Sequence, residues 1–336
     1  MFKNIVYKFF GIEEVKDPED TIPVVVSRKR IIADKVVEVE LRDPEGKELP
    51  AFTAGAHIDV HIKPGMMRQY SLPNNPQERD RYISAVLMEP EGKGGSKALF
   101  YDVQEGDKLL VSKPRNHFPL AEDAPYSVFV AGGIGLTPLM AMAYRLRELG
   151  KPFKFYYRAR ARAWAAYPDL LVEEFGDSVE CLFSDEGGRE KFDLDAILKE
   201  VPEGTHLYTC GANSFMDFVT STAEKYLPED NVHLEYFYAA FDADSAENQP
   251  FELYCTKSDV TLEVPSDKSI TDVLEENGIN LPISCSDGIC GSCITKFVEG
   301  EVEHRDGVLS KSDREKKQLF TPCCSRAVGE KLSIEV

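Results

Sequence analysis

Cys285-Ser-Asp-Gly-Ile-Cys290-Gly-Ser-Cys293, followed after 29 intervening residues by Cys323, reads C-x4-C-x2-C…C. This is the plant-type spacing of four thiolates around a [2Fe–2S] cluster. Three sulfurs within nine residues need a tightly turned loop, and Gly288 and Gly291 permit backbone conformations that a side chain would block. Ser284, Ser286 and Ser292, with the N–H groups of the loop, offer hydrogen bonds to sulfur. A structural zinc site shows two C-x2-C knuckles, and only Cys290–Cys293 forms one. Cys323 and Cys324 are adjacent, and side chains of neighbouring residues in an extended segment face opposite ways. Spacing therefore assigns Cys323 as the fourth ligand and leaves Cys324 as a core thiol.

Around the cysteines, alternation over Phe251–Thr256 and Val260–Val264 predicts a hairpin. Ser269-Ile-Thr-Asp272 predicts a capping box opening a helix that runs to Asn277-Gly278, and Lys331–Val336 predicts a closing strand. Hairpin, helix and last strand suggest a C-terminal β-grasp domain over 251–336, behind an Ala- and Asp-rich linker at 241–250.

Upstream, 122–240 alternates strands with helices, the pattern of an open parallel α/β domain whose ligand lies beyond the strand C-termini. Strands are expected at Tyr126–Val130, Phe153–Tyr157, Glu180–Ser184 and His206–Cys210, with helices over Leu139–Leu149 and from about Trp164 to Phe175. Gly132-Gly133-Ile-Gly135-Leu-Thr137-Pro138 is a Gly-rich strand-to-helix turn that presents amides and a positive helix end to a pyrophosphate. Arg158, Arg160 and Arg162 follow a strand and suit a nucleotide phosphate equally with a solvated helix start. The charge-free run 124–144 contains Gly132, Gly133, Gly135 and Pro138, so it reads as strand, turn and helix rather than a membrane span.

From 23 to 121 the pattern is β. Val24-Val-Val, Val36–Leu41, His57–Ile62, Tyr82–Leu87 and Lys108–Val111 are separated by turn signals, which predicts an antiparallel barrel. Arg68-Gln69-Tyr70-Ser71-Leu72 lies within it. Arginine, aromatic ring and hydroxyl side by side are what a flavin phosphate and ring need, and Gly94-Gly95-Ser96 offers bare N–H groups to a phosphate. Residues 1–22 form an N-terminal extension, in which Phe2, Ile5, Val6, Phe9 and Phe10 repeat at helical spacing.

The 336 residues, 43% hydrophobic and 29% charged, suffice for two or three domains of an ordinary soluble protein. A net charge of −19 argues against nucleic acid or an anionic membrane as partner. Lys3 and Lys8 interrupt the first apolar stretch, so no secretory signal is expected. Cysteines at 181, 210, 255 and 324 lie outside the cluster motif, which suits free thiols in a reducing cytoplasm.

Taken together and in this order, the strings resemble the phthalate dioxygenase reductase family, flavin reductases of Rieske-type oxygenases. They are Arg68-Gln-Tyr-Ser-Leu72, Gly94-Gly-Ser96, Pro114-Arg-Asn-His-Phe-Pro-Leu120, Ala131-Gly-Gly-Ile-Gly-Leu-Thr-Pro138, Cys210-Gly211, His233-Leu-Glu-Tyr-Phe237 and Cys323-Cys-Ser-Arg326. The resemblance spans the chain from about residue 22. It implies FMN held by Arg68, Gln69, Tyr70, Ser71, Leu72 and Gly94–Ser96, with the Ser71 hydroxyl near the hydride-accepting N5 and Phe237 against the flavin. It implies a nicotinamide dinucleotide on Gly132, Gly133, Gly135 and Thr137, with Cys210 and Gly211 beside the nicotinamide. Members mostly prefer NADH, whereas Arg158 and Arg160 in place of an acidic residue would also suit the 2′-phosphate of NADPH.

The expected activity is hydride transfer from NADH to FMN, then single electrons through the cluster to an oxygenase, by a cytoplasmic monomer. A reductase of a diiron monooxygenase is the alternative enzyme, although those usually place the ferredoxin first. A non-enzymatic iron–sulfur electron carrier is the other alternative, against which the intact Gly132–Pro138 turn and Cys210-Gly211 count.

Overall fold

The computed structural model describes residues 21–92, 94–237, 248–283, 285–309 and 311–336. The N-terminal helical stripe, Ser284 and most of the 241–250 linker lie outside the described residues. The chain divides into two compact units, one ending at Leu234 and the other beginning at Glu235.

The first unit opens with β1 (Thr21–Ala33), β2 (Val36–Arg42), β3 (His57–Lys63), β4 (Met66–Ser71), β5 (Tyr82–Leu87), α1 (Gly95–Tyr101) and β6 (Lys108–Ser112). The strands join in the order β4-β3-β6-β1-β2-β5, and the two outer strands approach each other. Every pairing given for this sheet is antiparallel. β1 serves two partners: its first residues pair with β6, and the rest pair with β2 across register shifts at Val26/Arg28 and Ile31/Ala33. Such bulges bend a long strand and help a sheet close. Val24, Val37, Val39, Ile58, Val60, Leu72, Tyr82 and Val111 fill the interior.

Two elements differ from the expectation. Residues 66–71 form β4, which has no alternating pattern because all but Ser71 are half-buried. Gly95 and Ser96 start a seven-residue helix rather than an open phosphate loop, with Gly94 in the left-handed region at φ 84° as its N-cap.

The α/β part follows as β7 (Ser127–Gly132), α2 (Leu136–Glu148), β8 (Phe153–Ala159), α3 (Pro168–Phe175), β9 (Val179–Phe183), α4 (Gly188–Lys191), α5 (Leu194–Lys199), β10 (His206–Gly211), α6 (Asn213–Ala223) and β11 (Val232–Tyr236). Strand order is β11-β10-β7-β8-β9, and β10, β7, β8 and β9 run parallel. The charge-free run is β7, a tight turn and the buried helix α2, which starts at Leu136 so that Pro138 falls in its first turn. α3 starts at Pro168 rather than near Trp164, because Tyr167 sits in the left-handed region at φ 56°. Among the described residues, no helix is long and apolar enough to cross a membrane.

Barrel and parallel sheet share one core. Val36, Ala54, Ala85 and Phe118 pack in the same cluster as Leu136, Leu139, Met140, Met142 and Phe155. At Gly55 a Cβ would lie 2.1 Å from the Phe118 carbonyl oxygen and 2.8 Å from Met142 Cε, so only glycine fits. The Tyr167 hydroxyl donates to the buried Glu38 carboxylate at 2.7 Å.

The second unit contains β12 (Phe251–Cys255), β13 (Val260–Val264), α7 (Ile270–Glu276), β14 (Thr295–Glu299), β15 (Val302–Glu303), α8 (Lys311–Glu315), β16 (Leu319–Phe320), β17 (Arg326–Ala327) and β18 (Lys331–Ile334). Its main sheet runs β13-β12-β18-β14-β16, with β12 parallel to β18 and antiparallel to β13. That is the expected β-grasp arrangement, and α7 packs across it through Ile270, Val273 and Leu274. The Arg326 guanidinium lies over Phe251 and donates to the carbonyls of Gln249, Pro265 and Lys268.

Both halves of the expected capping box form at Ser269: its hydroxyl accepts from Asp272 N–H, and the Asp272 carboxylate accepts from Ser269 N–H. Ser269→Ala should destabilise the protein by about 1 kcal/mol, seen as a lower denaturant midpoint for the C-terminal unit's transition. An unchanged midpoint would show that the cap adds nothing to this helix.

Candidate electron-transfer sites

β4 pairs residue by residue with β3, placing Arg68 opposite Val60, Tyr70 opposite Ile58 and Ser71 opposite His57. The Arg68 stem rests on Gly95, where a Cβ would fall 2.4 Å from Arg68 Cγ. Helix α1 thus supports the arginine directly. The Tyr70 hydroxyl is buried without a hydrogen-bond partner, and burial pushes its pKa up. A buried, unsatisfied phenol beside an arginine fits a site whose ligand supplies the missing acceptor. Ser71 is buried, Leu72 is fully buried with its N–H donating to Ala56, and Ser96 Oγ accepts from Glu89 N–H. The Gln69 amide donates to Asp59 at 2.9 Å rather than standing free for a ligand.

Asp59 was not singled out from sequence, and Arg115 stood there only within the string Pro114–Leu120. Asp59 is buried between Gln69 and Arg115, whose guanidinium donates to it at 2.7 Å. Arg115 also exchanges backbone hydrogen bonds with His57. This network backs the residues flanking Tyr70. Its one signal in the sequence is Arg115 itself, three residues past the end of the last barrel strand at Ser112.

In the α/β part, the C-terminal ends of β7 and β10 meet so closely that only glycine fits. A Cβ on Gly135 would lie 2.2 Å from the Cys210 carbonyl oxygen, and one on Gly132 or Gly211 would lie 2.8 Å from the Phe215 ring. Gly133 has φ +56°, which aims the turn, and Thr137 Oγ1 donates to the Ile134 carbonyl at 3.1 Å. Cys210 is fully buried at the end of β10. Bare backbone at this crevice lets a pyrophosphate approach, the topological switch point of such sheets. Phe215, missed from sequence, forms a wall of the crevice.

The arginines separate. Arg158 pairs with Gly132 in register and stacks over Phe192 and Phe215, at the nucleotide crevice. Arg160 lies over the Trp164 ring at 5.8 Å. Arg162 pairs with the exposed Asp169 and Glu186, at 3.1 and 3.9 Å. Phe237 is half-buried, just past β11, and belongs to the second unit.

In the second unit the cysteine loop turns through left-handed residues Ser286, Gly288 and Gly291. The thiols gather two and two, with Cys285 hydrogen-bonded to Cys290 and Cys293 to Cys323. Backbone N–H groups aim at sulfur: Asp287 donates to Cys285 at 3.3 Å and Ser292 to Cys290 at 3.4 Å. Four cysteines at plant-type spacing, two of them accepting from backbone N–H, suit a two-iron cluster in their chemistry. The expected opposite facing of Cys323 and Cys324 is not found. Residues 321–325 form a turn in which the Thr321 carbonyl accepts from the N–H groups of Cys324 and Ser325, so the extended segment assumed there is absent, and Cys324 Sγ lies 3.2 Å from Thr321 Oγ1. All eight cysteines are free of disulfides.

Residues 253–328 match the 2Fe-2S iron-sulfur cluster binding domain. The chain is 40% identical over 317 residues to a vanillate O-demethylase oxidoreductase of a Pseudomonas species, covering 94% of this chain and 100% of that one. The chain belongs to the phthalate dioxygenase reductase family. The solved structure of phthalate dioxygenase reductase, described as modular for electron transfer from pyridine nucleotides to [2Fe–2S], superimposes with a TM-score of 0.70 at 36% identity. That match covers 94% of this chain and 98% of that one. An intact type IV self-sufficient cytochrome P450 monooxygenase matches at TM-score 0.84 and 36% identity; this chain, covered to 94%, spans 41% of its length.

This reductase is accordingly an NAD(P)H-dependent flavin and iron–sulfur oxidoreductase with a flavin-binding barrel, a parallel nucleotide-binding sheet and a C-terminal ferredoxin domain. The domain matched at residues 253–328 is one that binds a [2Fe–2S] cluster.

Two histidines, His57 buried and His233 half-buried, set an acid limit on the first unit. Burial and the nearby Arg115 push His57 down to about 4. Burial and His206, whose Nδ1 lies 2.8 Å from His233 Nε2, push His233 down to about 4. Both fall from an ordinary 6.5, so the unfolded chain binds more protons between pH 6.5 and 4. Their stabilisation is fully present above pH 6.5 and lost as pH falls to about 4, at up to ~1.4 kcal/mol per pH unit for each. The urea midpoint should drop between pH 7 and pH 5, and drop less in His233→Gln. An equal drop in the variant would remove His233 from the cause.

Proposed function

We propose that this chain is the reductase component of a two-component, Rieske-type oxygenase that hydroxylates or demethylates an aromatic compound. It works as a monomer in the cytoplasm. The observation that carries this reading is one core that holds a flavin-type strand and a pyrophosphate-type crevice, on a chain that also carries the paired cysteine loop. The chain thus contains a two-electron entrance and a one-electron exit. The names of its relatives, a vanillate O-demethylase oxidoreductase and phthalate dioxygenase reductase, support the partner class.

Flavin, when bound, accepts a hydride and releases its electrons singly, and the cluster carries one at a time. Arg68 and the Gly94-Gly95-Ser96 turn take the FMN phosphate, one by charge and the others by backbone N–H. Tyr70 covers the ring and offers its unsatisfied hydroxyl, Ser71 donates at the hydride-accepting edge, and Leu72 closes the pocket floor. Gln69 acts through Asp59, holding β4 in place. Gly132, Gly133, Gly135 and Thr137 receive the dinucleotide, Arg158 and Arg160 meet its phosphates, and Cys210 and Gly211 border the nicotinamide. Phe237 is assigned to the flavin by the family resemblance alone. Cys285, Cys290, Cys293 and Cys323 ligate the irons. No acid–base pair is needed, because hydride transfer calls for alignment at about 3–3.5 Å and not for proton abstraction.

A haem monooxygenase as partner is the second reading, favoured by the match to the self-sufficient P450.

The test uses the whole protein with its flavin extracted and identified, and cytochrome c as a one-electron acceptor. Extracted FMN and NADH-driven cytochrome c reduction are expected. Cys290→Ser should lose at least tenfold in that rate yet keep NADH–ferricyanide activity. Arg68→Ala should retain less flavin and lose both activities. Cytochrome c reduction unaffected in Cys290→Ser would overturn the exit route, and full flavin content in Arg68→Ala would remove that residue from the phosphate site.

A further inference from the structure

The helix that supports Arg68 is held at its far end by a charge that the site described above does not use. Helix α1 carries the Arg68 stem on Gly95, where a Cβ would fall 2.4 Å from Arg68 Cγ and 2.7 Å from its Nε. A helix of seven residues is too short to hold itself in place and depends on outside ties. Near its N-terminus, Ser96 Oγ accepts from Glu89 N–H at 3.0 Å. At its C-terminus the Lys29 ammonium, reaching from β1, donates to the Phe100 carbonyl at 2.8 Å and to the Val103 carbonyl at 2.5 Å.

The backbone leaves these two carbonyls to the lysine. A helix ends in carbonyls that have no N–H partner of their own. Here the Ala98 carbonyl takes both Asp102 N–H and Val103 N–H. Gln104 N–H, the donor that would continue the helix onto Phe100, goes instead to Asp107 Oδ2 at 2.7 Å. Asp107 N–H, the matching donor for Val103, goes to the Gln104 carbonyl. An ammonium has three donors and no acceptor, so the direction of both bonds is fixed. Its charge also opposes the negative pole at this end of the helix.

This tie is separate from the closure of the barrel. Val26 N–H donates to the Asp107 carbonyl at 2.9 Å, and Gly106 N–H donates to the Val26 carbonyl at 2.8 Å. Lys29 N–H donates to the Glu105 carboxylate at 2.7 Å. These bonds join β1 to the segment after α1 through backbone N–H groups and owe nothing to the ammonium. Its removal would free the end of α1, and with it the surface under Arg68, while the strands stay joined.

We propose that Lys29 is a positioning residue for the FMN phosphate: by holding the last turn of α1 it fixes Gly95 beneath the Arg68 stem, and so fixes where the guanidinium meets the phosphate. The planar fork of an arginine binds phosphate well only in the matching orientation. A shift of α1 along its axis carries Gly95, and the stem resting on it, out of that orientation. The inference rests on the reading of Arg68 as the phosphate residue.

The experiment compares FMN with riboflavin, which has the ring and no phosphate, by fluorescence titration of the full-length protein freed of flavin. The wild type should bind FMN about tenfold or more tightly than riboflavin. Lys29→Met keeps the apolar stem and removes the ammonium. It should lose about three- to tenfold in FMN affinity with riboflavin affinity unchanged, and Lys29→Arg should restore most of that loss. An unchanged FMN-to-riboflavin ratio in Lys29→Met overturns the proposal, whether neither affinity moves or both fall together as in a purely structural role. Arg68→Ala should bring the two flavins to nearly equal affinity. A wild-type ratio in Arg68→Ala overturns the phosphate reading itself, whereas a collapsed ratio there beside an unmoved one in Lys29→Met overturns the positioning role alone. If Lys29→Met does not fold, hydrogen exchange in the wild type decides. FMN should protect the Asp102 and Val103 amides about threefold more than riboflavin does, and equal protection overturns the proposal.

Discussion

Hydride transfer tolerates little slack between donor and acceptor, and in this protein the slack is removed by a shared apolar core. Phe118 and Ala54 from the barrel and Met142, Leu139 and Leu136 from the helix after the nucleotide turn lie in one cluster. Gly55 lets the Phe118 backbone and the Met142 side chain close to distances that a Cβ would prevent. Buried interiors are packed like crystals, so two elements that share a core do not slide past each other. The strand carrying Arg68, Tyr70 and Ser71 and the crevice of Gly132, Gly135 and Gly211 are therefore parts of one compact body. Tyr167, held in the left-handed region and bonded to Glu38, adds a polar pin to the same contact.

The ferredoxin unit solves a different problem. A cluster adds charge on reduction inside a protein of net charge −19, so its sulfurs need donors. The loop supplies amides from Asp287 and Ser292 to Cys285 and Cys290. At the other end of the motif, the turn at 321–325 sets the buried Thr321 hydroxyl 3.2 Å from both Cys324 Sγ and Ser325 Oγ. Glycines at 288 and 291 allow the loop to turn, and a bare Gly288 leaves room for Cys324 Sγ.

Much of this was legible in the sequence for definite physical reasons. Thiolate spacing and the Ser269–Asp272 capping box are local rules: the capping box holds in the structure, and the spacing agrees with the match of residues 253–328 to a 2Fe-2S cluster binding domain. Gly132–Pro138 was readable because close backbone contact leaves glycine as its only solution. β4 was unreadable, because its residues up to Tyr70 are all half-buried and give no alternation of inside and outside. The Asp59–Arg115 pair joins residues 56 positions apart, and no local pattern announces such a bond. Cys324 was misplaced because an extended segment was assumed where Thr321 and Ser325 close a turn. The start of α3 was misjudged because nothing in Tyr167 itself signals a left-handed residue before Pro168.

The most direct test of the account is an EPR spectrum of the whole protein frozen after anaerobic addition of NADH, beside the same spectrum of Arg68→Ala depleted of flavin. The account predicts a spin-half cluster signal in the wild type and its loss in the flavin-depleted variant, with dithionite restoring the signal in that variant. A cluster that stays oxidised while the flavin bleaches, or one that NADH reduces equally well without flavin, would contradict the route from nucleotide through flavin to the four cysteines.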